Sequence, residues 1–484
     1  MTANAYDAIP YEDYPVTETH VDALYLASRA AGLDAAHPEQ ARVLELGCAH
    51  GVNLMPMAFH LPQASLLGVD LSPRQIEQGR QRVHALGLDN LELRCADVLD
   101  LHLGSRRFDY IIAHGLYSWV PEPVRARVLG LFREYLAPSG VAYLSYNAMP
   151  AWGIRGAIGR ALREAVGPAG TPTEQVRQAR AALAKLEQVQ PLRGTAEGAL
   201  LRGEIEALRH KPDSYLLHEY LVPDSRAFYL REVVERASRA GLQWVGDVAP
   251  SSLSAAETAQ ARRELGELRD DPLAIEQLVD IVGFRQFRAS LLCRDDDSRG
   301  EPQNASQRLR EGFVAALPAE HDDEVPAETR AVLAALGQRW PQEWSLAELS
   351  EQVAIETEQL VPQLAALVDE GRVQRRARRL PARAPSERPK ASVLSRFEAS
   401  YLPFVTTPMH EHAPLDAFHA ALIGHLDGQR TAGELVEVLL QDIAAGRLRL
   451  ASEKPPQLDE LGPALRRTVD GALQRLGQAG LLLG

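Results

Sequence analysis

The sequence predicts an α/β fold, a parallel doubly wound sheet followed by further helical regions. Two observations support the sheet. Short apolar runs alternate with segments of helical periodicity along the first part of the chain, a pattern typical of strands and helices in a parallel sheet. Several of the runs end at a turn with an acidic or aromatic side chain. A third observation concerns size: 484 residues exceed one hydrophobic core, so we expect about two to four domains.

Composition argues against several classes of protein. Lys and Arg number 52 against 65 Asp and Glu, and the formal net charge of −13 is unlike that of a general polyanion binder. The sequence has three cysteines, Cys48, Cys95 and Cys293, and no two of them form a CxxC pair. This predicts neither disulfides nor a zinc site. No basic and apolar leader begins the sequence, and no run of about 18 apolar residues occurs. We therefore expect a soluble cytoplasmic protein.

The first strand, helix and second strand predict a nucleotide-type site. The run RVLEL (residues 42–46) contains Glu45, turns through Gly47 and Gly51, and continues as a periodic apolar segment. The next strand ends at Asp70. Small loop residues let the backbone approach a ligand, while a carboxylate at the following strand's tip can accept two ribose hydroxyls.

The loop sequence indicates which nucleotide is bound. A dinucleotide pattern needs Gly at positions 47, 49 and 52, but Ala49 and Val52 occupy two of them. The acidic-x-Gly-x-Gly-x-Gly loop of class I methyltransferases, which use S-adenosylmethionine (SAM), fits better and departs only at Ala49. The alternative is an ordinary turn between a strand and a helix.

The third strand, within residues 91–98, strengthens the SAM prediction. Asp97 follows it, where this fold contacts the adenine amine. With His114 at the end of the fourth strand, the expected cofactor contacts are Glu45, Gly47, Cys48, Ala49, Gly51, Asp70, Leu71, Asp97, Val98 and His114.

The fourth and fifth strands, residues 108–114 and 141–147, run into two aromatic-rich loops. Ligands of a doubly wound sheet sit at the carboxyl ends of its strands, so these loops are expected to border the methyl-transfer centre. The candidate catalytic residues are His114, Tyr117, Trp119 and Tyr146, with Trp152 as a further wall of the acceptor channel.

Several long motifs resemble one family. They are YDAIPY (6–11), LELGCAHG (44–51), AHGLYSWVP (113–121), SYNAMPAW (145–152) and YLLHEY (215–220). In these motifs the chain resembles the bacterial methyltransferases with a regulatory domain, which include the rickettsial protein-lysine methyltransferases. It departs from the family at Val52 and Ala151, each of which stands where the family has Gly.

The resemblance implies SAM as cofactor and a protein lysine as acceptor. A lysine has a solution pKa of about 10.4, so holding it neutral at pH 7 costs roughly 4 to 5 kcal/mol. Burial and the sulfonium charge both lower that pKa, so no strong base is required. Two alternatives remain open: a small-molecule or natural-product methyltransferase, and a non-enzymatic SAM-binding regulator.

The N-terminal tyrosines and one helical histidine are further candidates. Tyr6, Tyr11 and Tyr14 are expected to form either a lid over the sulfonium cation or a packed arm. His218 lies in the YLLHEY motif, and a structural role for it is favoured over a catalytic one.

The remaining chain predicts an insertion, two more strands and two further domains. Residues 1–152 form the SAM-binding core, and 153–294 comprise a helical insertion (153–222) and two strands, 242–248 and 287–293, that complete the sheet. A polar linker follows at 295–306. Residues 307–380 predict a winged-helix-like domain and 391–484 a helical one.

Two polar clusters in these domains are also assigned. The basic hairpin with Arg372, Arg375, Arg376, Arg378 and Arg379 is predicted to dock protein rather than to bind nucleic acid. The sequence HEH (410–412) lacks a third ligand and is predicted to be surface, not a metal site. A protein substrate is the expected partner, and the sequence does not indicate an oligomeric state. Fragment 1–300 is expected to bind SAM alone.

Overall fold

The structure is a computed structural model of the chain. It describes residues 9, 14–189, 194–248, 253, 255–268, 270–316, 326–380, 386–449 and 458–483. Tyr6 and Tyr11, and with them most of the YDAIPY motif, lie outside the described residues.

A seven-stranded sheet forms the centre of the first 294 residues. Its strand order is β3-β2-β1-β4-β5-β7-β6. The pairs from β3 to β5 are parallel, whereas β7 runs antiparallel to both β5 and β6. The strands are β1 (Arg42–Leu46), β2 (Ser65–Asp70), β3 (Leu91–Cys95), β4 (Phe108–Ala113), β5 (Leu136–Asn147), β6 (Leu242–Asp247) and β7 (Phe287–Arg294).

This topology confirms the predicted doubly wound sheet and its completion by two late strands. The parallel crossovers from β1 to β2, from β2 to β3 and from β4 to β5 each carry an α-helix, whereas the crossover from β3 to β4 carries only a 3-10 turn at Val98–Asp100. The helices of this region are α1 (Val21–Ala30), α2 (Leu54–His60), α3 (Pro73–Leu86), α4 (Glu122–Tyr135), α8 (Leu230–Arg239), α9 (Ala255–Gly266) and α10 (Pro272–Val282).

Local sequence explains where α3 begins and ends. Ser72 Oγ accepts a hydrogen bond from the Gln75 amide at 3.1 Å, and Pro73 follows at the first helical position. Gly87 ends the helix in the left-handed conformation with φ +65°. These caps fix the helix that begins directly after Asp70, at the edge of the sheet where a ligand is expected.

The segment between β5 and α8 is helical, as predicted. It contains α5 (Trp152–Val166), α6 (Pro172–Val189) and α7 (Ala196–Arg209), and one helical turn then continues as a π-helix over Leu216–Leu221. Its own apolar cluster includes Ile158, Leu183 and Tyr220. His218 lies in the π-helix, where Nε2 is 2.7 Å from the Ile9 carbonyl oxygen. That contact agrees with the favoured structural role.

Two groups of helices follow the sheet. The first contains α11 (Ala305–Arg310), β8 (Phe313–Ala315), α12 (Ala327–Arg339), α13 (Leu346–Val353), α14 (Thr357–Asp369) and β9 (Gln374–Arg376). The second contains α15 (Val393–Glu398), β10 (Phe404–Thr406), β11 (His412–Pro414), α16 (Ala417–His425), α17 (Ala432–Ala444) and α18 (Leu458–Gln478). Each group has its own apolar cluster. None of the helices in the described part of the chain is both long and apolar enough to cross a bilayer.

The prediction that the basic hairpin docks a partner is wrong for Arg376 and Arg378, which are buried and bind the chain itself. The ion pairs of Arg376 with Glu343 and of Arg378 with Asp22 are buried and join regions that are distant in sequence. Arg376 contacts Glu343 at 2.6 Å, Arg378 contacts Asp22 at 3.1 Å, Arg379 contacts Glu348 at 2.6 Å and Arg375 contacts the Arg308 carbonyl at 2.6 Å. Arg372 lies 4.0 Å from Glu370.

The prediction that HEH is a surface segment is wrong for its first histidine. His410 is 1% exposed, and its Nε2 lies 2.9 Å from Asn53 Oδ1. His412 remains exposed, with Nε2 2.6 Å from the Pro15 carbonyl oxygen. The segment is buried on one side because it packs on the N-terminal segment and the loop after β1. No cluster of three potential metal ligands occurs among the described residues.

Candidate cofactor and acceptor site

The loop after β1 is shaped by three residues with positive φ. Gly47, Ala49 and Gly51 have φ of +78°, +48° and +77°. Ala49 therefore adopts the left-handed conformation that favours glycine, which explains why other members of this loop class place Gly there. The substitution leaves the turn intact, since Gly51 N donates to the Cys48 carbonyl at 2.7 Å.

Asp70 is oriented by this loop. Its two carboxylate oxygens accept hydrogen bonds from the backbone amides of Ala49 and Ser72, each at 2.9 Å. Burial raises the pKa of Asp70, and the two amide hydrogen bonds oppose that rise. Each oxygen keeps a further lone pair, so the carboxylate is fixed in place and can still accept hydroxyl donors.

Glu45 is buried with one oxygen bonded and the other open. Asn53 Nδ2 donates to Glu45 Oε1 at 2.8 Å. The other oxygen, Oε2, has no hydrogen-bond partner among the described residues. Burial raises the pKa of Glu45 to about 8, opposed by the Asn53 hydrogen bond. An orphaned carboxylate oxygen in a dry site is suited to a cationic ligand.

The other predicted cofactor contacts are spread around the same edge. Cys48 is buried and packs towards β2, because a Cβ on Gly68 would lie only 2.7 Å from its sulfur. Leu71 is 57% exposed. Asp97 is half-buried and accepts the Leu99 amide at 2.9 Å, which caps the short 3-10 turn that begins at Val98.

His114 is oriented by a residue that the sequence analysis missed. Its Nδ1 lies 2.9 Å from the hydroxyl of Tyr143 on β5, and the two rings stack. Burial lowers the pKa of His114 to about 4, so the ring is neutral at pH 7. Tyr143 points to this side because alternate β5 residues face opposite sides of the sheet.

Tyr117 and Tyr146 lie together on the opposite face of the sheet. Both are 0% exposed and pack against Phe228, with ring centroids 5.2 and 6.3 Å away. Tyr146 OH lies 3.1 Å from Ser290 Oγ, which donates to Asp247 at 2.7 Å. Burial raises the pKa of Tyr146, so its hydroxyl stays protonated.

Phe228 has no motif that would have marked it, yet it closes this end of the sheet. Its amide donates to the Asn147 carbonyl at 2.9 Å, next to a parallel bridge between Ala148 and Phe228. The guanidinium carbon of Arg226 lies 4.8 Å from the ring centroid. The residues after the insertion are thereby joined to the tip of β5.

Trp119 and Trp152 are nearly buried but lie in different surroundings. Trp119 is 7% exposed, and its Nε1 has no hydrogen-bond partner among the residues that the structure describes. Trp152 is 6% exposed and contacts Tyr220 and Arg155 of the helical insertion. The structure thus places Tyr117, Tyr146 and Phe228 together, His114 across the sheet, and Trp152 against the insertion.

The described part of the N-terminal segment lies beside the cofactor loop. The Val16 amide donates to Asn53 Oδ1 at 3.0 Å. Tyr14 is 41% exposed, and its ring packs edge-on against His412 at 5.3 Å. From Tyr14 onward, the segment forms a packed arm between the loop after β1 and the C-terminal region.

Family comparisons match three parts of the chain. Residues 43–140 match the family described as "Methyltransferase domain", and 212–294 match "Predicted methyltransferase regulatory domain". Residues 387–481 match "PKMT, C-terminal winged helix domain". The winged helix thus falls on the last region, for which the sequence analysis expected a helical domain.

Two curated relatives come from Rickettsia prowazekii (strain Madrid E). "Uncharacterized protein RP789" is 26% identical over 93% of this chain and 88% of its own length. "Uncharacterized protein RP028" is 32% identical over 49% of this chain and 94% of its own length. The latter match extends over nearly the whole relative.

A solved rickettsial structure shares the fold along nearly all of the chain. PKMT2 from Rickettsia typhi, solved in complex with AdoHcy, aligns with a TM-score of 0.84 at 23% identity. The alignment covers 98% of this chain and 100% of PKMT2. Taken with the methyltransferase domain at 43–140 and the likeness to RP028, this means that the chain belongs to the same family as RP028 and is a SAM-dependent methyltransferase.

Proposed function

We propose that this methyltransferase acts on a protein and transfers its methyl group to a lysine side chain. The observation that carries the proposal is the shared fold with PKMT2 over 98% of the chain, accessory regions included. PKMT abbreviates protein-lysine methyltransferase, and a winged helix of the PKMT type matches residues 387–481. Regions of this size offer surface for docking a folded protein substrate, whereas in a small-molecule enzyme they would only cap the pocket.

The cofactor residues are assigned by their chemistry. SAM supplies an electrophilic methyl group on a sulfonium. Asp70 would accept the ribose hydroxyls, because its oxygens are held by two amides and keep free lone pairs. Glu45 would face the amino-acid ammonium through its unpartnered Oε2. Asp97 would accept a hydrogen bond from the adenine amine.

The acceptor is assigned to the loops that follow β4 and β5. Buried aromatic surroundings favour a neutral amine over an ammonium, which suits Tyr117, Trp119 and Tyr146 as walls. His114, with its pKa near 4, is too weak a base to hold the proton at pH 7. Its role would be to hydrogen-bond and orient, while the amine loses its proton through desolvation.

The four-region division stays part of this proposal. Residues 1–152 and 153–294 would form one catalytic unit, because β6 and β7 pair within the same sheet as β5. Residues 307–380 and 391–484 would be two accessory units, since each has a separate apolar cluster. Their exposed surfaces would present the protein substrate.

Incubation with methyl-labelled SAM and a host-cell lysate tests the proposal. Label is expected in protein and should survive alkali, because N-methyl amines resist hydrolysis whereas methyl esters release methanol. Amino-acid analysis should then give methyl-lysine. Label only in small molecules would favour the natural-product alternative, and SAM binding without any transfer would favour the regulator.

The matched control is Asp70→Asn, which keeps the side chain's shape but removes its charge. Labelling should fall with it. Labelling that persists unchanged in the variant would show that another enzyme in the lysate transfers the methyl group.

A further inference from the structure

A segment of the C-terminal region reaches the loop that holds Glu45. His410 is 1% exposed and Asn53 is 8% exposed, and His410 Nε2 lies 2.9 Å from Asn53 Oδ1. The His410 carbonyl accepts the hydroxyl of Thr17 at 3.0 Å. Residues 357 positions apart in sequence therefore meet in a buried polar cluster beside the cofactor loop.

The surrounding donors fix which way the Asn53 amide points. The Val16 backbone amide can only donate, and it lies 3.0 Å from Oδ1. The oxygen must therefore face Val16, the Thr19 hydroxyl, which donates to it at 3.0 Å, and His410, so His410 must carry its proton on Nε2. The amide NH₂ group is then left facing Glu45 Oε1, to which it donates at 2.8 Å.

This orientation decides what the Glu45 carboxylate can do. With Oε1 bonded to Asn53, Oε2 is the open oxygen. A flipped amide would present its own oxygen to Glu45 and repel the carboxylate form. Any group that holds the amide in place therefore also holds Glu45 ready for a cation.

We propose that His410 and Asn53 are positioning residues for cofactor binding: the C-terminal winged-helix region orients the Asn53 amide, and the amide orients Glu45. The proposal rests on the proposed role of Glu45 in holding SAM. It makes the last quarter of the chain part of the cofactor site's support, although none of its residues has been assigned a contact with SAM.

The test measures SAM affinity of the full-length chain by calorimetry. His410→Phe keeps an aromatic ring but removes the donor, and we expect the Kd for SAM to rise about tenfold, the effect of one ordinary hydrogen bond. His410→Gln restores a donor and should recover most of the affinity. His419→Phe, in the same region but bonded to Asp416 instead, is the matched control and should leave the Kd unchanged.

A double-mutant cycle separates positioning from general stability. If His410 acts through Glu45, His410→Phe should add little to the loss already caused by Glu45→Gln. Fully additive losses would overturn the proposal, and so would a folded His410→Phe chain with wild-type affinity. If that variant does not fold, Asn53→Asp provides the same test, because it keeps the acceptor for His410 but loses the donor to Glu45. Unchanged SAM affinity in the Asn53→Asp chain would also overturn the proposal.

The outcome also distinguishes this inference from the proposed function. A wild-type chain that fails to bind SAM would refute the cofactor assignment itself. If the wild-type chain binds SAM and the His410 and Asn53 variants bind it with the same affinity, only the positioning role is overturned.

Discussion

Asp70 is the side chain whose geometry most directly predicts a loss of cofactor binding. Its carboxylate is held by the Ala49 and Ser72 amides and points its remaining lone pairs outward. Asp70→Ala removes charge-assisted hydrogen bonds that are each worth about 1.5 to 3 kcal/mol. We expect the Kd for SAM to rise by at least about tenfold, measured by calorimetry on a chain with a native melting profile.

Asp109 provides the control for Asp70. It lies at the opposite end of the sheet, where its carboxylate accepts a hydrogen bond from the Arg42 side chain at the start of β1. Asp109→Ala should leave SAM affinity unchanged. Equal affinity in wild type and a folded Asp70→Ala chain would contradict the ribose assignment.

Glu45 predicts a pH dependence of SAM binding. With its pKa near 8, the carboxyl is mostly protonated at pH 7 in the free protein. The positive charges of SAM favour the carboxylate, so binding should release a proton. Affinity should therefore rise as the pH increases from about 6 to about 8 and level off above the pKa.

Glu45→Gln separates this effect from the titration of SAM's own amine, which the variant leaves in place. The wild-type pH dependence should be steeper than that of the variant, and calorimetry in buffers of different ionisation enthalpy should detect the released proton. Identical pH profiles would mean that Glu45 does not change its protonation when SAM binds.

At the scale of elements, the packing of α3 on the cofactor loop makes Gly79 essential. An Ala inside a helix is normally more stable than a Gly by about 1 kcal/mol. At Gly79, however, a Cβ would lie 2.4 Å from the His50 carbonyl oxygen. Because that atom is backbone, α3 or the loop would have to move, and we expect Gly79→Ala to lower both the melting temperature and SAM affinity.

Gly203 in α7 is the matched substitution, since a Cβ there meets nothing within 4 Å. Gly203→Ala should raise the melting temperature slightly. A Gly79→Ala chain that is stabilised to the same degree would show that the contact between α3 and the loop can relax without cost.

Elements that depend on local pattern were predictable from the sequence. The five early strands follow short apolar runs, and the helix cap at Ser72 follows from the sequence Ser-Pro at the start of α3. The strands at 242–247 and 287–294 could be inferred because a doubly wound sheet of this class requires them. Phe228 could not, because its position depends on backbone contacts with Asn147 and Ala148, far away in the sequence.

The site was predictable in the same uneven way. Asp70 follows from its place at a strand end, whereas Tyr143, Asn53 and His410 depend on what the folded chain brings next to them. HEH indicates only polarity, and a run of arginines looks the same whether it faces solvent or a carboxylate. Contacts between residues hundreds of positions apart leave no local pattern to detect.

At the scale of the whole molecule, the C-terminal regions are built into the catalytic region. Leu394 of α15 is 1% exposed and belongs to the same apolar cluster as β1 and α2, against which Phe397 also packs. Arg82 of α3 lies 4.8 Å from the ring centroid of Tyr401. The catalytic sheet thus has one face partly covered by residues from the end of the chain.

This arrangement changes the prediction for a truncated chain. The sequence suggested that a fragment ending near residue 300 would still bind SAM. A fragment ending at Glu311 would keep the ion pair between Arg29 and Glu311, but it would lose Leu394 and Phe397 from the sheet's cover, each worth about 2 kcal/mol of burial. It would also lose the hydrogen bond between His410 and Asn53.

We therefore expect the fragment 1–311 to melt at a lower temperature than the full chain and to bind SAM more weakly, measured by thermal denaturation and calorimetry. Full-length His410→Phe separates the two causes: it should reproduce much of the lost affinity but little of the lost stability, because it leaves Leu394 and Phe397 in place. A fragment that melts and binds SAM like the full chain would show that the catalytic region is complete without the C-terminal regions, which would then serve the protein substrate alone.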